Sequence, residues 1–169
     1  ACRTIRKLTP AGVVTTLAGN GGSTLTDGTT STASFLGPWC LVYDTASTSI
    51  YVGDEHAVRR IFGANVTTIV GSAISGNLDG TGTAASFNDI MGITMSLDNV
   101  YLYVADSDNQ KIRRIHKGTG VVTTYAGTGT AGHVNGGTTN SQFYWPSGVV
   151  FNSAGALFVT ETYYIRKIN

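Results

Sequence analysis

An all-β fold built from a repeated four-stranded sheet is what the sequence predicts, and three observations lead there. Short motifs return in one fixed order: Phe35, Phe87 and Phe143 lie 52 and 56 residues apart, and Asp27-Gly28, Asp79-Gly80 and Asn135-Gly136 keep the same two intervals. Each period holds four short runs rich in Val, Ile, Tyr, Thr and Leu, bounded by Gly, Asp, Asn or Ser, the pattern of strands joined by turns. No stretch keeps apolar residues spaced by three and four over a dozen positions, so long helices are not expected. Four antiparallel strands repeated about every 40–55 residues describe the blades of a propeller.

The chain opens on "IRKL" (5–8), a basic doublet inside an apolar strand-like run, which returns as "VRRI" (58–61), "IRRI" (112–115) and "IRKI" (165–168). Next comes "VVTTLAG" (13–19), repeated as "NVTTIVG" (65–71) and "VVTTYAG" (121–127). A Gly-rich connection carrying the Asp-Gly or Asn-Gly turn follows. An aromatic entry then leads into an apolar run: "SFLGPWCLVY" (34–43), "SFNDIMGITM" (86–95) and "QFYWPSGVVF" (142–151). The most complete copy shows four strands: a, "GITMS" (92–96); b, "VYLYVAD" (100–106); c, "KIRRI" (111–115); d, "GVVTTYAG" (120–127). In this lettering the chain reads c-d, a-b-c-d, a-b-c-d, a-b-c. That is thirteen strands, or about three blade equivalents, in a single incomplete propeller segment over 1–169 with repeats at about 1–33, 34–85, 86–141 and 142–169. Blades are covered on both faces by their neighbours, which suits strands that are nearly continuously apolar.

These motifs resemble the NHL-repeat family of β-propellers, whose hallmarks are a Pro-x-Gly entry to the inner strand, a "YVAD" second strand, and an Asn before an "IRK" or "IRR" third strand. The resemblance runs over essentially the whole chain and is most complete in residues 91–115 and 120–151. The sequence departs from the pattern at Cys40, which stands at the entry Gly, at Ile90, which replaces the Pro, and at Glu161, which replaces the Asp of the second strand. An acid closes every strand b (Asp54, Asp106, Glu161) and a basic doublet occupies each following strand c (Arg59/Arg60, Arg113/Arg114, Arg166/Lys167). Hairpin geometry sets b beside c, so acid and guanidinium can meet at the sheet edge. The resemblance implies structural ion pairs among these nine residues, one member of each doublet packing its stem against a neighbouring blade. A basic stripe for phosphate is the competing reading of the doublets, and the matching acids argue against it.

With 169 residues the chain has the length of one domain. Its net charge of +1 gives no footprint for nucleic acid, and no run is long and apolar enough to span a membrane as a helix. The start lacks a signal peptide and an initiator Met, so the chain is expected to be processed or an excerpt. Charged residues are only 12%, with abundant Thr, Ser and Gly, a composition that favours an extracellular or cell-surface setting. Cys2 and Cys40 are a candidate disulfide, the alternative being one buried and one terminal thiol. Asn65-Val66-Thr67 is a glycosylation sequon. His56, His116 and His133 occupy different repeat positions, so the period builds no ring of metal ligands, and neither a metal nor another cofactor is expected. The Asp-Gly pairs are read as turn formers, glycine accepting positive φ.

The leading expectation is a non-catalytic structural or interaction propeller. Its partners would be proteins or glycans, including further blades or further copies, since three blades are too few to close a ring. The alternative is part of a propeller enzyme, such as the metal-dependent peptidyl-hydroxyglycine lyases that the family resemblance brings in. RNA binding, a third reading from the same family, asks for a basic face that the composition denies.

Overall fold

The computed structural model describes residues 3–168, in which fifteen strands form four antiparallel sheets. β1 (Ile5–Leu8) pairs with β2 (Val14–Ala18) in the first. β3 (Gly28–Thr29), β4 (Pro38–Asp44), β5 (Ser49–Asp54), β6 (Ala57–Phe62) and β7 (Asn65–Gly71) make the second, in the spatial order β3-β7-β6-β5-β4. β8 (Gly80–Thr81), a turn of 3-10 helix (Gly82–Ala84), β9 (Ile90–Met95), β10 (Tyr101–Asp106), β11 (Lys111–His116) and β12 (Val121–Ala126) repeat that plan in the third. β13 (Val149–Phe151), β14 (Leu157–Thr160) and β15 (Ile165–Ile168) form the fourth. The chain is an all-β partial propeller, and its thirteen longer strands follow the expected order.

The two extra strands, β3 and β8, are two residues long and come from the connections between repeats. Each lies antiparallel along the outer edge of the next strand d: Gly28 and Thr29 against Val66 and Asn65, Gly80 and Thr81 against Val122 and Val121. The connection thereby covers an edge whose backbone groups would otherwise be open. Two residues of Gly-Thr carry no alternation, which is why the sequence alone does not show them.

Side chains alternate across each strand, so the second and third sheets each feed two cores. Ile5, Ala18 and Phe35 meet Val52, Ile61 and Val66 between the first and second sheets. Tyr51, Val58 and Val70 meet Leu102, Val104 and Ile115 between the second and third. Tyr103, Ala105 and Ile112 meet Val149, Leu157 and Val159 between the third and fourth. These sheet-to-sheet cores explain the near-continuous apolar strands.

Close approach between sheets depends on small residues at particular places. Gly71 and Gly127 end successive d strands at φ 83 and 97, and each lies against the entry phenylalanine of the following repeat, Phe87 and Phe143. At the inner strand, a Cβ on Gly92 would fall on the Ser147 carbonyl oxygen of the next sheet. Cys40 occupies the corresponding position of the second sheet, and its β5 partner is Gly53, where Gly92 faces Ala105. The bulk has moved to the other strand: a Cβ on Gly53 would sit 2.5 Å from Cys40 Sγ.

At the end of the sheets opposite the b–c turns, Asp44 links two repeats. Its carboxylate accepts from Lys117 Nζ at 2.7 Å and Asn99 Nδ2 at 3.0 Å, both in turns of the third sheet, and from the nearby Ser47 hydroxyl at 2.7 Å. Against the effect of its burial, the Lys117, Ser47 and Asn99 donors hold this carboxyl below the usual carboxylate range. A folded value below the unfolded one makes the contribution complete above about pH 4 and lost as pH falls through the folded value. Asp44→Asn is therefore expected to lower stability by about 1–3 kcal/mol at pH 7. In urea titrations that deficit should shrink steadily below about pH 4, where the carboxyl of the unfolded chain takes up a proton while that of the folded wild type stays ionised. Gly92→Ala should cost about 1–3 kcal/mol through overpacking. Gly137→Ala, with nothing within 4 Å of the new carbon, should stay within about 0.5 kcal/mol by the same measurement.

Candidate functional site

The basic doublets divide their labour because consecutive strand residues face opposite sides of a sheet. In β6 and β11 the first arginine follows an irregularity in the pairing with strand d, between Val58 and Arg59 and between Ile112 and Arg113. One extra residue of strand d is accommodated there, and such a bulge re-aims the side chain opposite it. Arg59 and Arg113 are fully buried.

Each buried guanidinium is held on two edges. Arg59 Nη1 donates to Asp54 Oδ2 at 2.9 Å and to the Ser34 carbonyl, while Nη2 donates to Asp27 Oδ1 at 2.9 Å and to the Thr26 carbonyl. Arg113 repeats the set with Asp106 (2.7 Å), Ser86, Asp79 (2.7 Å) and Leu78. Arg166 does so with Glu161 (2.7 Å), Gln142, Asn135 and Val134. The rings of Phe35, Phe87 and Phe143 lie 5.2, 5.0 and 5.7 Å from the three guanidinium carbons. Burial pushes the Asp54 and Asp106 carboxyls upward, opposed by their arginine and backbone donors. Against the effect of its partial burial, Asp79 is held below the ordinary value by Thr124 N–H and Arg113.

This geometry corrects the reading of the Asp-Gly pairs as turn formers. Asp27 and Asp79 are the second acids of the clamps, and each also accepts from strand d, at Thr68 and Thr124. Gly80 and Gly136 do not have positive φ. Gly80 is needed for closeness instead, since a Cβ there would meet Ala84 backbone at 3.0 Å. The co-occurrence of Asp, Asp and Asn at one repeat position was the available signal.

The second members of the doublets lie elsewhere, which corrects their inclusion among the ion pairs. Arg60 donates from Nε to Ser49 Oγ at 2.9 Å and stacks on Phe62, Arg114 lies over Tyr101, and Lys167 is exposed. No ion pair of these three occurs among the described residues. Cys40 Sγ approaches the Ile90 carbonyl at 3.7 Å, and burial pushes its thiol up to about 12. The Cys2–Cys40 pairing falls outside the described residues, because Cys2 is not among them. Asn65 is exposed at the start of β7.

The histidines remain apart. His116 packs edge-on to Tyr101; His56 lies 3.7 Å from Glu55; His133 Nδ1 meets Glu161 Oε2 at 2.9 Å and sits among Tyr144, Tyr163 and Tyr164. Among the described residues no three His, Cys, Asp or Glu side chains gather as a metal site. On the face of the b–c turns and strand-a entries, by contrast, large aromatics are exposed: Trp39 at 61%, Trp145 at 50% and Tyr163 at 77%.

Removing a clamp arginine leaves a buried carboxylate uncompensated. Arg113→Met is expected to destabilise by about 3–5 kcal/mol, with Asp106→Asn in the same chain restoring part of the loss. Arg114→Met should cost no more than about 1 kcal/mol. Equal losses in denaturant titrations of the two arginine variants would contradict the division of labour.

No family model matches the chain. Over 132 residues it is 35% identical to the NHL repeat-containing protein 2 of Bos taurus, an alignment covering 75% of this chain and 18% of the bovine protein. The chain thus spans less than a fifth of the length of that curated relative. Among solved structures, an auxiliary nutrient binding protein from Bacteroides thetaiotaomicron superposes with a TM-score of 0.78 over 99% of this chain and 43% of its own, at 20% identity. A streptogramin B lyase superposes with a TM-score of 0.60 over 98% of this chain and 47% of its own, at 12% identity. At such identities these two structures speak for the fold alone. Kinship in sequence with proteins named for the repeat and the same course of the backbone agree, and this chain belongs to the NHL-repeat β-propeller family.

Proposed function

We propose that this chain acts as a non-catalytic structural and interaction module, outside the cell or at its surface, within a larger propeller, array or assembled fibre. The observation that carries the reading is where the chemistry-bearing residues go. Half of the ten acids and the first arginines of the doublets are spent holding connections to sheets, while Trp39, Trp145, Tyr163 and Tyr164 stand exposed on the turn face. Exposed tryptophan and tyrosine on a rigid scaffold are the residues that protein and glycan interfaces favour. The hydroxyl-rich connections and the low charge support a setting outside the cell. The proposed partners are proteins or glycans.

Native material decides this reading through its intact mass, its size in solution and its metal content. Glycan mass at Asn65 or on the Ser/Thr-rich connections, together with defined assemblies, is the expected result. A stoichiometric transition metal would favour the lyase-like enzyme instead, and salt-sensitive retention on RNA would favour a nucleic-acid binder.

A further inference from the structure

The ten acids are not used evenly. Six of them, Asp27, Asp44, Asp54, Asp79, Asp106 and Glu161, form ion pairs with Lys or Arg. Asp98 closes its own turn through the Ser96 hydroxyl and the Val100 N–H. The other three, Glu55, Asp89 and Asp108, have no Lys or Arg in an ion pair among the described residues, and they gather on the turn face. Burial raises Asp89 above the ordinary carboxylate value, Asp108 and Glu55 raise it further, and only His56 opposes them.

Beside these acids lies a shallow groove of about 310 Å³ between the third and fourth sheets, lined by Asp89, Ser107, Asp108, Trp145, Ser147 and Thr162. Its walls are fixed by backbone bonds. Ser107 N–H donates to the Asp89 carbonyl at 2.9 Å, Asp108 N–H to the Asn88 carbonyl at 3.1 Å, and Trp145 N–H to Oε1 of the buried Gln110 at 2.7 Å. Ser107 is only 6% exposed, yet its hydroxyl has no hydrogen-bond partner among the described residues and it lines the groove. That hydroxyl keeps a donor and an acceptor available to whatever enters the groove.

An indole face, two carboxylates without basic partners and an unused hydroxyl fit a planar cation. A guanidinium stacks on indole while its edge donates to carboxylates, and it is less strongly hydrated than an ammonium. A neutral sugar would use the same ring and hydroxyl but leave the two like charges of the groove uncompensated. We propose that this groove binds a guanidinium group, presented by an arginine side chain of a partner protein. The assignment rests on the reading of the turn face as an interaction surface and names the chemistry of its partner.

The test uses the whole chain with Trp39→Phe, which leaves Trp145 as the single indole, and calorimetry of the unaltered chain in parallel. N-acetyl-arginine amide should give a saturable signal, with the neutral isostere N-acetyl-citrulline amide weaker by about tenfold or more. Asp89→Asn and Asp108→Asn should each weaken the arginine probe by about tenfold, and Asp98→Asn should leave it unchanged. Equal binding of citrulline, or arginine binding untouched by both groove substitutions, would overturn the proposal. Free guanidinium ion binding more tightly than the blocked arginine would overturn a protein arginine as its source. Saturation by a neutral monosaccharide with none by arginine would overturn the cation while leaving an interaction surface in place. Silence towards every probe would remove the groove as a site, whereas the mass and assembly of native material test the broader reading separately.

Discussion

A buried guanidinium held on two edges is the constraint around which each repeat is arranged. Arg59 and Arg113 have no exposed surface, and a charge in that position is tolerated only when it is paired and hydrogen-bonded. The acid at the end of strand b satisfies one edge, and the acid or amide of the connection satisfies the other. Both also receive a backbone carbonyl from that connection. The Nε atoms of Arg59 and Arg113 remain without a partner, so even these clamps are not saturated. Exchange of such a pair for apolar residues is often neutral or favourable, whereas loss of one partner is severe. The clamp is therefore better understood as a device for specificity: it ties a long polar connection, which has little apolar surface of its own, to one place on one sheet.

Once that connection is tied down, several other features of the repeat follow. Its Gly-Thr pair lies along strand d and protects the sheet edge. Its final phenylalanine passes beneath the guanidinium and reaches the left-handed glycine that ends the preceding strand d. One ring thus touches a charge in its own sheet and backbone in the one before it. Inter-sheet packing and the polar clamp are parts of one arrangement, which accounts for why Phe, Asp-Gly, the basic doublet and the terminal glycine all share a single period.

The repeat period and strand order were legible in the sequence because each strand is short, apolar and bounded by turn residues. The acid of strand b was legible for a similar reason: it stands a few residues from its arginine, across a hairpin. Asp27 and Asp79 were not, since they lie 32 and 34 residues before the arginines they hold, and Asp-Gly is also an ordinary turn signal. The Asp44–Lys117 contact spans 73 residues and does not recur, so no period announced it. The sequence also could not assign the two members of a doublet, because the strand alternation that separates them has no fixed sign until the pairing register is known.

The departures from the repeat are of two physical kinds. Some are compensated inside the fold. Cys40 is balanced by Gly53; Ile90 supplies an N–H that a proline would lack and donates it to the Glu55 carbonyl of the neighbouring sheet at 2.8 Å; Glu161, longer than an aspartate, reaches both Arg166 and His133. Others have no such balance. At the equivalent entry positions stand Gly37, Asp89 and Trp145, and the last two adopt φ of 64 and 50, a region that costs a non-glycine residue free energy. The b–c turns near them also differ in length and composition, Glu55-His56 against Ser107-Asp108-Asn109-Gln110. Packing alone would favour the same glycine or asparagine in every copy. Strain, unpaired acids and exposed indole concentrated where the repeats stop resembling one another mark the part of the surface that the scaffold's own stability does not explain.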